Sequence, residues 1–377
     1  LKRPVEVTVF YARGKRLELR EDLLRYRYES PCFRFRLIDL DKHPGLARQH
    51  RITAYGQTVV ACGRRRVVIN YPSEEQLVNA ILKVTNPRQP VVYFLSGHGE
   101  KDPEDDDEKR GYSGICDSLE TENYAVKGLR LFGGRPVPED ASVVVVAGPE
   151  RPLLPEELRS LGRYLDRGGR LLAMVDPGAD VPGLRRWLAS YGVVLREDIV
   201  VDKENHPAGG DELTPVIPLY RDHPITRGFR LATVFPLVRS VRLNYEVKGP
   251  VDQQTLALST PQSWAERDLR AALSGRARFD GGVDEKGPIP VAVALQLRLE
   301  KGQREGRLVV FGDSDFVTNA WLNRLGNRDL FMNAVNWLRG EETLIAVRPR
   351  RRKYDYRMLQ PYEGRRLFWS AVVAEPG

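Results

Sequence analysis

Cysteine is scarce in this chain of 377 residues: only Cys32, Cys62 and Cys116 occur. They form neither a C-x-x-C pair nor a metal-ligand spacing, which argues against both a disulfide framework and a structural zinc. So low a content suits the cytoplasm and equally an extracytoplasmic compartment in which thiols are avoided. Long hydrophobic runs are missing too. Nothing approaches roughly eighteen consecutive apolar residues, so no complete membrane span lies within the sequence. There is no G-x-x-x-x-G-K-[ST] loop, so the chain does not hydrolyse ATP through a P-loop. The acidic run KDPEDDDEKR, 101–110, lacks the regular ligand spacing and bend glycine of a calcium loop; its composition predicts a mobile, solvated loop.

What is present describes a soluble globular protein, 41% hydrophobic and 29% charged, long enough for two domains with an inserted piece. A net charge of +8 and a pI near 9.3 suit an anionic partner such as nucleic acid, a phospholipid surface or an acidic polymer. Arginine is scattered, with clusters only at Arg64, Arg65, Arg66 and at Arg350, Arg351, Arg352, Lys353. Neither cluster carries a nucleic-acid-binding signature, so a solvated face or a membrane-proximal collar is expected and nucleic acid is not. The sequence opens on Leu1 and not on methionine, and closes on an apolar run, Leu367 to Val373, behind Arg365 and Arg366. That run reads either as the mouth of a membrane span cut short or as an ordinary C-terminal strand or helix.

In chain order, VEVTVFY (5–11) and 33–39 read as strands, 17–29 and 44–51 as helices, and 58–61 with 66–69 as a hairpin turning at Gly63. Ser73 caps a helix running to Thr85. A second domain opens with the buried strand VVYFL. Strands at 142–147 and 170–175 flank a helix that starts at Pro155 and stops at Gly168 and Gly169. From 193 to 290 the pattern loosens, and 214–229 is expected to cross the mouth of the domain. A strand at 291–299 precedes GRLVVFGDSDF, where a strand meets an acidic turn and two short helices.

Four strands thus end alike, at SGHGE, AGPE, VDPG and GDSDF. In an open parallel sheet these ends share one edge, where ligands usually bind. The edge would hold His98, Glu100, Glu150, Asp176, Asp313 and Asp315 as ligand-binding candidates. Each has a structural reading beside it: a loop hydrogen bond for His98, a turn for Asp176, helix caps for Asp313 and Asp315. No metal set or activated nucleophile accompanies them, so no catalytic residue, metal or cofactor is assigned.

The β-α-β-α-β-β-α order, with IDLDKHPGLARQHRITAYGQTVV, resembles the thioredoxin fold. The family's redox cysteines are replaced by Ala12, Arg13, Gly14 and Lys15, and its cis-proline by Gln57, which implies a redox-dead adaptor over 1–88. The helix, the two glycines and LLAMV resemble a class I glutamine amidotransferase-like (flavodoxin-like) domain over 89–343. Asp176 and Pro177 stand where that family's elbow holds its cysteine, so nucleophilic acyl chemistry is not expected. Together, VVYFLSGHGE, LRSLGRYLDRGGRLLAMVDP, PVIPLYRDHPITRGF, GRLVVFGDSDFVTNAWL and GNRDLFMNAVNWL resemble the auxiliary component of an uncharacterised class of ABC transport systems, which includes the gliding-motility-associated GldG type. The resemblance implies a non-enzymatic module outside the cytoplasm and held to the membrane by trimmed N- and C-terminal anchors. It would work beside an ABC permease and ATPase, as a homo-oligomer or not. Residues 344–377 become a basic membrane-proximal tail, with Arg350, Arg351, Arg352, Arg365 and Arg366 near anionic headgroups. Two alternatives stay open: a hydrolase using His98 with Asp313 or Glu100, and a carbohydrate- or lipid-binding module in the same cleft.

Overall fold

The computed structural model describes residues 1–340 except 2, 13–19, 51, 71–72, 86–88, 209 and 298–304. Its N-terminal part runs β1 (Val5–Tyr11), α1 (Arg20–Glu29), β2 (Phe33–Asp39), α2 (Pro44–His50), β3 (Gln57–Cys62), β4 (Arg65–Asn70) and α3 (Glu74–Thr85). This is the order the sequence predicts. Residues 17–19 of the expected first helix lie outside the described residues. The strands form one sheet in the order β2-β1-β3-β4, with β1 and β2 parallel and the other pairs antiparallel. Cys62 ends β3 and Cys32 immediately precedes β2, so β1 lies between the two strands they adjoin. At the start of α3, Ser73 Oγ accepts from the Gln76 amide and Gln76 Oε1 from the Ser73 amide, both at 3.2 Å, a reciprocal capping box.

The larger part follows with β5 (Val91–Leu95), α4 (Ser113–Thr121), β6 (Ala125–Leu129), β7 (Ala141–Ala147), α5 (Pro155–Asp166), β8 (Arg170–Met174) and α6 (Pro182–Ser190). Val143 to Ala147 are fully buried, as an unbroken apolar run must be when helices cover both faces of a strand. In α5, Leu158, Leu161 and Leu165 recur at the helical period and face inward. Eight strands make the main sheet, in the order Leu219–Tyr220, Pro250–Leu258, Pro290–Leu297, Gly306–Phe311, β8, β7, β5, β6. The last five are mutually parallel; the first three alternate in direction. The sheet is therefore mixed, where a parallel one was expected. Only eight residues join Leu297 to Gly306, too few for the dozen or more that a parallel crossover takes.

The loosely patterned stretch holds short strands in three small sheets, and Pro250–Leu258 in the main one. Part of the segment expected at the mouth, Leu219–Tyr220, is the edge strand of the main sheet. Another part packs on the closing helix Asn327–Arg339: the His223 ring sits 4.8 Å from that of Trp337, and Asn333 donates to the Ile225 carbonyl at 3.0 Å. Where two short helices were expected after Phe311, there is a single turn at Asp315–Val317 and then that long helix. Its buried asparagines hold it in place. Asn327 exchanges hydrogen bonds with Val234 and donates to the Phe316 carbonyl, and Asn336 accepts from the Tyr124 hydroxyl. Buried amides of this kind tolerate only one placement, since a shift leaves them unpaired. Among the described residues no helix is long and apolar enough to cross a membrane.

Candidate functional site

The carboxyl ends of β5, β7, β8 and Gly306–Phe311 lie side by side, and two polar clusters stand on that edge. Strand order reverses between β5 and β7, because β6 lies on one side of β5 and the later parallel strands on the other. The crevice at such a reversal is the usual ligand position. Here it is bridged by protein. The Glu150 and Arg151 amides both donate to the His98 carbonyl at 2.9 Å, and the Lys101 amide donates to Ala147 at 2.9 Å.

His98 forms the first cluster. Its Nδ1 lies 3.0 Å from Glu100 Oε1 and its Nε2 2.8 Å from Glu157 Oε2, with all three side chains nearly buried. Glu100 also accepts from the His98 amide at 2.7 Å, and Glu157 from the Leu154 amide at the start of α5 at 2.8 Å. Both ring nitrogens thus lie within hydrogen-bond reach of a glutamate oxygen, and neither is open to a substrate unless one of those contacts breaks. Of the two expected pairings, His98 meets Glu100; Asp313 is not the partner of either ring nitrogen.

The second cluster joins Asp176, Asp313, Ser314, Asp315, Lys101 and Tyr112. Asp176, just past β8, accepts from the Ser314 amide at 2.5 Å and from its hydroxyl at 2.7 Å. Asp313 accepts from the amides of Asp315 and Phe316 at 2.8 and 3.1 Å, the capping role expected of it. Asp315 does not cap. It pairs with Lys101 Nζ at 2.5 Å. The buried Tyr112 hydroxyl donates to the Ser314 carbonyl at 2.5 Å. Burial raises the pKa of Asp176, and the Asp315 charge adds to this against the Ser314 hydrogen bonds and Lys101. Burial, then the charges of Asp315 and Asp176, hold Asp313 well above the usual carboxylate range. For Lys101 burial acts downward, but Asp315, with Asp176 and Asp313 behind it, raises its pKa overall. One ammonium thus serves three carboxylates.

A double-mutant cycle of Lys101→Met and Asp315→Asn is accordingly expected to give a coupling energy of about 1–3 kcal/mol by urea unfolding, because both groups are mostly withdrawn from water. A coupling below about 0.3 kcal/mol, as for an exposed pair, would contradict this arrangement.

Glu150 belongs to neither cluster; its side chain is exposed and pairs with Arg110 at 2.9 Å. The acidic run expected to be free is wound and tied down. Asp102, Asp105 and Asp107 accept amides from their own turns, and the carbonyls of Asp105, Asp107 and Glu108 accept from Asn319 and Ala320. Short acidic side chains build turns as readily as they solvate loops. Glu157, Lys101 and Tyr112 escaped the sequence reading. Glu157 alone carried a signal, as an acidic residue in the first turn of a helix that begins at the sheet's carboxyl edge. The basic residues Arg350, Arg351, Arg352, Arg365 and Arg366 lie outside the described residues. Among the described residues, no group of three or more histidine, cysteine, aspartate or glutamate side chains is placed to hold a metal ion.

Fold and site together define a mixed α/β protein whose polar residues gather at the ends of its parallel strands. Residues 89–334 match the family described as an ABC-type uncharacterized transport system. The chain belongs to that family, as an auxiliary component of an uncharacterised ABC system. No curated protein matches it by sequence. Among solved structures it is similar to the mmIFT52 N-terminal domain, at 16% identity and a TM-score of 0.48, over 66% of this chain and 97% of that one. It is also similar to a ThuA-like protein from Bacteroides uniformis, at 13% identity and a TM-score of 0.38, over 68% and 93%. A ThuA-like protein from Parabacteroides merdae gives 12% identity and a TM-score of 0.38 over 67% and 90%.

Proposed function

We propose that the chain is a non-enzymatic, extracytoplasmic scaffold or substrate-binding module of an ABC transporter complex, assembling with a permease and an ATPase. In this reading residues 1–88 are a thioredoxin-like adaptor and 89–343 a degenerate amidotransferase-like domain with an insertion around 193–290. Residues 344–377 are a basic tail at the membrane, and the system is of the gliding-motility-associated type. The observation that carries the transport reading is the family match over 89–334. The geometry of the strand ends supports the non-enzymatic part, because His98, Asp176 and Asp313 spend their polar atoms on neighbouring protein groups: His98 on Glu100 and Glu157, Asp176 on Ser314, and Asp313 on the amides of its own turn. They act as the closure of the sheet edge, and a ligand there would contact what that closure leaves at the surface, chiefly the exposed Glu150 and the half-buried Asp315. Affinity purification of the full-length protein from its native membranes tests the proposal. A permease and an ATPase are expected at near-stoichiometric amounts. Recovery of the full-length protein soluble and without them sinks it.

A further inference from the structure

The N-terminal sheet ends on an open strand. β4 pairs with β3 alone, and among the described residues no backbone hydrogen bond reaches it from its other side. The register shows which groups are left over. Cys62 and Arg65 close the β3–β4 turn, and Gly63 takes the φ of +60° that a two-residue hairpin turn favours at its first position. Such a turn is bonded between its closing residues, and opposite pairs in an antiparallel ladder alternate between bonded and unbonded. Arg65, Val67 and Ile69 therefore spend their amides and carbonyls on Cys62, Val60 and Thr58 of β3. Arg66, Val68 and Asn70 turn theirs outward.

The side chains of those three share one face of the strand, while Val67 and Ile69 on the other face pack on Leu77 and the rest of the core beneath α3. Val68 is left 43% exposed between the exposed Arg66 and Asn70. Edge strands are kept from pairing with their own copies by shortness or by charge. The main sheet uses the first device at Leu219–Tyr220, a strand of two residues. β4, with six residues, uses the second. Residues 1–88 hold eighteen lysine and arginine against nine aspartate and glutamate residues, a net +9. Two copies meeting at β4 would bring +9 against +9, whereas an acidic strand would be drawn in. Outward amides and carbonyls repeating every second residue fit another extended backbone, the geometry of strand addition. We infer that β4 is a docking edge for an extended acidic segment of a partner protein, which joins the four-stranded sheet as a fifth strand. Its main chain bonds Arg66, Val68 and Asn70, an aliphatic side chain covers Val68, and a carboxylate pairs with Arg66. The inference stands apart from the transport reading, and its failure would leave that reading intact.

Hydrogen–deuterium exchange of the full chain, read by mass spectrometry on fragments covering β4, tests it. The probe is the acetylated, amidated peptide STVTEE, whose valine and first glutamate fall opposite Val68 and Arg66 in antiparallel register. At millimolar concentration it is expected to slow exchange at the Arg66, Val68 and Asn70 amides several-fold. Neither STVTKK nor STVTEE carrying N-methylvaline should protect them, the first for its charge and the second for its missing donor. Arg66→Glu should weaken STVTEE about fivefold or more, the size of a lost cross-strand charge pair, and admit STVTKK in its place. Val68→Pro removes an amide that β3 does not use, so the sheet should stay folded while protection by the peptide disappears. Protection of the wild type by STVTEE and STVTKK alike, by the N-methylated peptide, or by none of them overturns the docking edge. So does protection of the β4 amides that appears without peptide and rises with protein concentration, which would assign the edge to a second copy.

Discussion

Gly148→Ala is expected to lower the melting temperature by roughly 5–15 °C, since about 2–4 °C accompanies each kcal/mol lost in a protein of this size class. Gly148 follows β7 with φ +63°. An added Cβ would stand 2.3 Å from Ser314 Oγ and 2.7 Å from Asp176 Oδ2, inside the hydrogen bonds that close the second cluster. The left-handed backbone costs about 1–2 kcal/mol for alanine, and forcing a methyl into a packed site about 1–3 more. Gly228→Ala separates these contributions: φ there is +71°, and a Cβ would meet nothing within 4 Å. Calorimetry on both variants decides the matter. Equal losses would mean that the strand ends are not packed as described.

Asp176→Ala should cost about 2–5 kcal/mol at acidic pH, because it leaves two buried Ser314 donors without an acceptor, and the loss should shrink as pH rises. The sign follows from proton binding. The folded-state pKa of Asp176 is raised, first by burial and then by Asp315, so between the unfolded and folded values the native protein holds more protons than the unfolded chain. Stability from this group is complete below the unfolded value of 3.8 and declines as pH climbs through the folded one. Asp313 has the same sign, and the Asp176 charge contributes to its shift, so removing that charge relieves Asp313 as well. The difference in unfolding free energy between wild type and variant should therefore be largest near pH 4 and smaller at pH 8. A difference that grows with pH would mean Asp176 is held ionised by its hydrogen bonds, against its burial.

Much of the fold was legible because it is written in local periodicity. The apolar runs ending at Leu95, Ala147, Met174 and Phe311 are continuous because both faces are covered, and the helices between them carry their caps and stops in proline and glycine. The antiparallel addition to the sheet was legible in principle from the eight residues between Leu297 and Gly306, since connection length restricts strand direction. The small strands from 193 to 290 were not, because two- and three-residue pairings leave no period to read.

The site divides along the same line. By itself the sequence determined which strand ends carry acid and imidazole, that Asp313 could cap its own turn, and, through a match spanning 89–334, the family. These follow from composition and from contacts between residues a few positions apart. Only the tertiary structure decided the partners: His98 with Glu157 from α5, two strands further on, Lys101 with Asp315 across more than two hundred residues, and Asp176 with Ser314. A side chain's type states what it can bond. Which group it meets depends on strand order and register, which arise only when the whole sheet closes.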